Sequence, residues 1–189
     1  CYRVSEGKDF LAMARDVGTP VSSFSSQRQN DVTFDMKKKL DTVGEFNHII
    51  SLGPADIHSK YGGIFFYGVH IIEPMLFLFG DNISRVRVSK NGKNATDSLA
   101  YDDGKLATLI FNNLYSGWET FLDTKEGLFK LESDVKKRDP SKSYVDMVEM
   151  FRTGKEPRSH QSILAGVAVL EALEESVNTG DWADVPDID

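Results

Sequence analysis

The chain has 189 residues, with 22 Lys+Arg against 29 Asp+Glu and a formal net charge of −7. At 40% hydrophobic and 11% aromatic residues, it is not a disordered chain and can bury a core unaided by disulfides or structural metals. The acidic balance, without a basic stripe interleaved with aromatics, argues against a nucleic-acid partner. A lone cysteine, Cys1, excludes an internal disulfide framework.

The first residues, Cys1 to Glu6, contain no apolar run and do not read as a signal peptide. The pattern predicts a helix over Glu6 to Val17 with Phe10, Leu11, Ala14 and Val17 on one stripe. Ser5 is its expected N-cap, and Gly18 with Pro20 stops it. A short strand is expected over Val21 to Ser25. Asn30 or Asp31 caps a second helix that runs to Leu40, with Lys37, Lys38 and Lys39 as a solvated face. A strand is expected from Glu45 to Leu52, then a polar loop from Gly53 to Gly63 containing Asp56 and His58. The stretch Ile64 to Phe79 reads as a buried helix ended by Gly80. It is shorter than the ~20 residues of a spanning helix and carries His70, Glu73 and Pro74, so no membrane partner is expected and the chain is expected to be cytoplasmic. The turn signals Asn91-Gly92 and Asp103-Gly104 punctuate a meander of strands reaching to Leu131. Two helices close the chain, Ser143 to Thr153 and Ser162 to Asn178, capped by Gly154 and Gly180.

This order predicts an α+β fold: an open, mostly antiparallel sheet with helices on one face. The free face meets solvent or a second subunit, and Tyr115, Trp118 and Phe121 are the aromatics that either fill the core or mark that interface. The opening helix–strand unit has no strand before it. It is expected to be the tail of another domain, over residues 1–27, with the α+β domain over 28–189.

The chemistry concentrates at Tyr67-Gly68-Val69-His70-Ile71-Ile72-Glu73. A buried imidazole has a lowered pKa and stays neutral, able to exchange a proton. Glu73 is three residues on and shares a helix face with it. The same pattern also fits a core histidine bonded to a backbone carbonyl. Asp56 and His58 could line a pocket beside this helix, and Arg28 could meet an anion. His70 and Glu73 lack further ligands nearby, so no metal site is expected. None of the 15 glycines falls in a G-x-G pattern, and no P-loop, G-x-S-x-G or H-E-x-x-H is present.

In order and spacing these segments resemble the carboxy-terminal part of the Gfo/Idh/MocA oxidoreductase family. The stretch from Phe10 to Arg28 is similar to the last helix and strand of that family's nucleotide-binding domain. Lys39 to Phe46 resembles its run into the sheet, Gly62 to Gly80 its histidine-bearing helix, and Phe151 to Pro157 with the last helix its ending. The resemblance implies an upstream Rossmann domain that binds NAD or NADP, with no tight cofactor binding by these residues alone. It also implies a sugar or polyol substrate and a homo-oligomer formed through the free sheet face. His70 matches the family's histidine at the substrate, the expected catalytic residue, with Tyr67, Arg28, Asp56, His58 and Glu73 as expected substrate contacts. Phe66 stands where the family often has an aspartate. This departure raises the alternative of a catalytically inactive ligand-binding or assembly module.

Overall fold

In the computed structural model, burial alternates along the strands, so one face of a single sheet is sealed and the other is half-exposed. The structure describes residues 1–23, 25–112, 114 and 117–189, with the backbone alone for Lys142. The elements are α1 (Val4–Asp16), α2 (Asp31–Leu40), β1 (Phe46–Pro54), α3 (Ile64–Phe79), β2 (Ile83–Asn91), β3 (Asn94–Tyr101), β4 (Leu106–Asn112), β5 (Glu119–Thr124), β6 (Gly127–Lys130), α4 (Val145–Thr153), α5 (His160–Thr179) and β7 (Ala183–Asp184). A 3₁₀ turn over Pro140–Tyr144 leads into α4. The fold is the expected α+β arrangement.

The seven strands lie in the order β6-β5-β1-β4-β3-β2-β7. The two glycine turns deliver the β2–β3 and β3–β4 hairpins as expected, with Val86 opposite Leu99 and Leu99 opposite Ala107. The strands are not a simple meander, however. β1 inserts between β4, to which it is parallel, and β5, to which it is antiparallel. Parallel pairing needs a long crossover, supplied here by α3 and the two hairpins. The inward side of β1 carries Ile49, Ser51 and Gly53, leaving His48, Ile50 and Leu52 half-buried on the open face. Two adjacent isoleucines let the pattern fit either face, and neighbouring strands decide between them.

α3 and α5 cover the sealed face. α5 is buried nearly all round because it lies between the sheet and α1 and α3; its core includes Leu164, Val169, Leu170, Leu173 and Val177. Gly7 lets α1 close on α5, since a Cβ there would sit 2.7 Å from the Leu164 side chain. The α1 stripe that faces the core is Val4, Gly7, Leu11 and Ala14. Phe10, Met13 and Val17 form an exposed ridge instead. The N-cap of α1 is Arg3, not Ser5.

The expected strand over Val21 to Ser25 does not form among the described residues. A strand needs a neighbour to accept its hydrogen bonds, and the Val21 amide is instead donated to the Glu156 carboxylate at 2.9 Å. In α2, Asn30 caps as expected by accepting from the Thr33 amide. Its lysines are partly engaged: Lys37 reaches the Leu78 carbonyl, and Lys39 the Glu132 carbonyl and Asp134. Among the described residues no helix is long and apolar enough to cross a membrane.

Candidate active site

α3 is hydrophobic over most of its circumference, so each polar group on it must find a partner or a cavity. Gly62 and Gly63 turn the chain into its first turn with φ of 127° and 56°, a backbone that side-chained residues rarely adopt. Two turns in, His70 is half-buried and lines a cleft of ≈ 320 Å³ between α2, α3, the β1–β5 edge and the segment after β6. Its Nδ1 lies 3.1 Å from the hydroxyl of Ser25, which is 1% exposed. Burial lowers the pKa of His70, so the ring is neutral at physiological pH. Pro74, four residues on, has no N–H to give the His70 carbonyl, and it too lines the cleft.

The opposite wall contributes Trp118, Thr120 and Leu131, and the rim carries Glu119, Lys130, Glu132 and Arg138. Gly53 sets the position of Trp118: a Cβ there would lie 2.7 Å from the indole ring and 2.9 Å from Ile71. Trp118, expected on the sheet's free face or in the core, is thus a cleft wall. Phe121 is half-buried on the open face, and Tyr115 lies outside the described residues.

Glu73 and Arg28 are brought together, but with each other. The Glu73 carboxylate, 2% exposed, accepts from Arg158 Nη1 at 2.9 Å and from Arg28 Nη1 at 3.3 Å. Gly166 makes room, because a Cβ there would be 2.5 Å from Glu73 Oε1. Burial, and then the charge of Arg158, lowers the pKa of Arg28. Its guanidinium also stacks over Phe77 at 5.1 Å. This cluster locks α3 to the chain on either side of it.

Asp56 and Tyr67 line a separate recess with Lys93 and Asn112. Asp56 accepts from the His58 amide at 2.9 Å, and His58 Nε2 lies 3.3 Å from the Gly92 carbonyl, away from the cleft. Tyr67 links the two hollows, with its ring 5.9 Å from that of His70. Tyr61, Phe66 and Tyr67 form an exposed aromatic ledge, each ring centroid 5.1 Å from the next. Among the described residues no group of three or more His, Cys, Asp or Glu could hold a metal ion.

Sequence reasoning missed Ser25, Arg158 and the Thr120–Leu131 wall. Ser25 and Arg158 sit outside the regular elements, where periodicity gives no signal.

No protein-family model matches the sequence, and no curated protein does. Solved structures do match in fold. The myo-inositol dehydrogenase of Lactobacillus casei, in complex with NAD(H) and myo-inositol, aligns with a TM-score of 0.78 at 10% identity over 99% of this chain and 68% of that one. The WlbA dehydrogenase of Bordetella pertussis, in complex with NADH and UDP-GlcNAcA, gives 0.72 at 13% identity over 99% and 72%. An oxidoreductase of Agrobacterium radiobacter, in complex with NAD+, L-tartaric acid and magnesium, gives 0.69 at 16% over 96% and 70%. The α+β sheet, its helical cover and these alignments agree: the chain has the fold of the carboxy-terminal domain of the Gfo/Idh/MocA-type oxidoreductases.

Proposed function

We propose that this chain is the substrate-binding and oligomerising portion of an NAD(P)-dependent oxidoreductase acting on a sugar, inositol or related polyol. The observation that carries the proposal is His70, neutral and ring-bonded to a buried hydroxyl, opening into a cleft large enough for a sugar-sized ligand. In this reading His70 touches the reacting oxygen, either orienting it or moving its proton as hydride leaves or arrives.

The residues present do not fit the dinucleotide itself. A pyrophosphate site needs a glycine-rich turn from a strand into a helix N-terminus. Among the described residues no strand passes directly into a helix through such a turn: Gly62 and Gly63 enter α3 only at the end of the 55–63 loop, and the N-termini of α2 and α5 are closed by their own caps, Asn30 and Ser159. The cofactor is therefore assigned to the rest of a longer protein, with residues 1–27 as the end of that nucleotide-binding domain. The exposed ridge Phe10, Met13 and Val17 on α1 supports this placement, since a free monomer surface rarely carries such a row. The open face supports oligomerisation in the same way. Ile50, Leu52, Leu106, Ile110 and Phe121 lie half-buried there on neighbouring strands. Ile110→Glu in the intact protein is expected to shift its sedimentation to a smaller species.

One observation favours the second reading, an inactive binding or assembly module: position 66 offers a 44% exposed phenyl ring and no acid. A panel of polyols and sugars tested with NAD and with NADP decides between the readings. Reduction of either cofactor by any of them supports the enzyme; binding without turnover across the panel supports the module.

A further inference from the structure

The Ser25 hydroxyl is buried, and its one side-chain partner among the described residues is His70 Nδ1, at 3.1 Å. A hydroxyl carries one proton to donate. If Nδ1–H donated to Ser25 Oγ, the hydroxyl proton would be left buried without an acceptor, at the cost of an unmade hydrogen bond. If Ser25 donates to Nδ1, both groups are satisfied. The proton of the neutral ring then lies on Nε2, the nitrogen with no hydrogen bond among the described residues. Among the described residues no carboxylate is bonded to the ring. Around His70, α3 supplies Tyr67 and the Glu73 already held by Arg28 and Arg158. Across the cleft, Lys130 pairs with Glu132 at 3.1 Å and lies 3.9 Å from Glu119, while Arg138 donates to the Ser26 carbonyl.

We propose that Ser25 is a positioning residue that fixes His70 as its Nε2–H tautomer, so that His70 meets the ligand as a hydrogen-bond donor to a carbonyl oxygen. The ligand half of this statement rests on the cleft being the substrate site; the tautomer half stands alone. Phe66 fits the same picture. It cannot accept from or charge the imidazole, and the ring's partner comes instead from the loop between α1 and α2 as a neutral hydroxyl. A neutral imidazole that donates can polarise a carbonyl without being a strong base.

The test is nitrogen-15 NMR of the imidazoles in this chain, which has four histidines; His70→Gln identifies the His70 signals. In the native chain Nε2 is expected to be protonated and Nδ1 bare at neutral pH. In Ser25→Ala the donor to Nδ1 is gone, so the neutral ring loses stabilisation and the His70 pKa rises. Ser25→Thr keeps the hydroxyl and should restore the native value. If Ser25→Ala does not fold, Ser25→Cys, a weak donor, carries the same comparison. A native ring protonated on Nδ1, or a pKa that falls or stays unchanged when the hydroxyl is removed, overturns the assignment. Absence of turnover in the intact protein would remove the proposed activity and leave this measurement untouched.

Discussion

Asp97 stands in the middle of β3, opposite Val88 on one side and Leu109 on the other, 1% exposed and with neither carboxylate oxygen hydrogen-bonded. Burial raises its pKa well above the usual carboxylate value. Folding therefore favours the protonated form of this group relative to the unfolded chain. The stability it leaves intact below the unfolded pKa of about 3.9 is lost as pH rises toward the folded value. Asp97→Asn removes that proton linkage. The variant is expected to gain about 1–3 kcal/mol at neutral pH, the scale of a buried polar penalty, and little in acid. Thermal melts across pH check this; an equal change at every pH would contradict it. Gly166 gives a second residue-scale prediction. Gly166→Ala presses a methyl against a carboxylate pinned by two arginines. It should destabilise by about 1–3 kcal/mol as an overpacked site, measured by urea unfolding, and by less in a Glu73→Gln background. Neither partnership is legible in the sequence: Arg28, Glu73 and Arg158 lie far apart along the chain, and nothing periodic ties them together.

At the scale of elements, legibility followed how local the signal was. The bounds of α3 match the glycines that flank it, and the two hairpins match their Asn-Gly and Asp-Gly turns, because those signals act through the backbone of a few residues. The strand over Val21 to Ser25 failed because a strand exists only by pairing, which no local pattern specifies. The buried stripe of α1 was misread for a related reason: apolar residues stand on both sides of the helix, and tertiary neighbours choose the side, as they also choose the inward face of β1. The junction of β1 with α3 matters to the cleft. Gly53→Ala would push Trp118 off the strand, so we expect a changed tryptophan emission and a destabilisation of about 1–3 kcal/mol. An unshifted spectrum would mean that Trp118 is not seated on Gly53.

At the scale of the molecule, the sealed face stabilises the chain and its margins carry the candidate binding surfaces. The helix-covered side holds Ile49, Leu99, Leu109, Leu122 and Leu173, all fully buried. The cleft beside His70, the aromatic ledge, the α1 ridge and the open sheet face all lie at the edges of that core. The likeness of fold to the solved structures holds at 10–18% identity. The most direct test of the account is the turnover of His70→Ala in the intact protein, with whichever polyol reduces its cofactor. The account predicts a fall in kcat/KM of roughly 10²–10³, the range of a lost hydrogen-bond donor at the reacting oxygen, with a modest loss of stability from the Ser25 hydroxyl left without its acceptor. Unchanged turnover would contradict it and move the reacting centre away from this cleft.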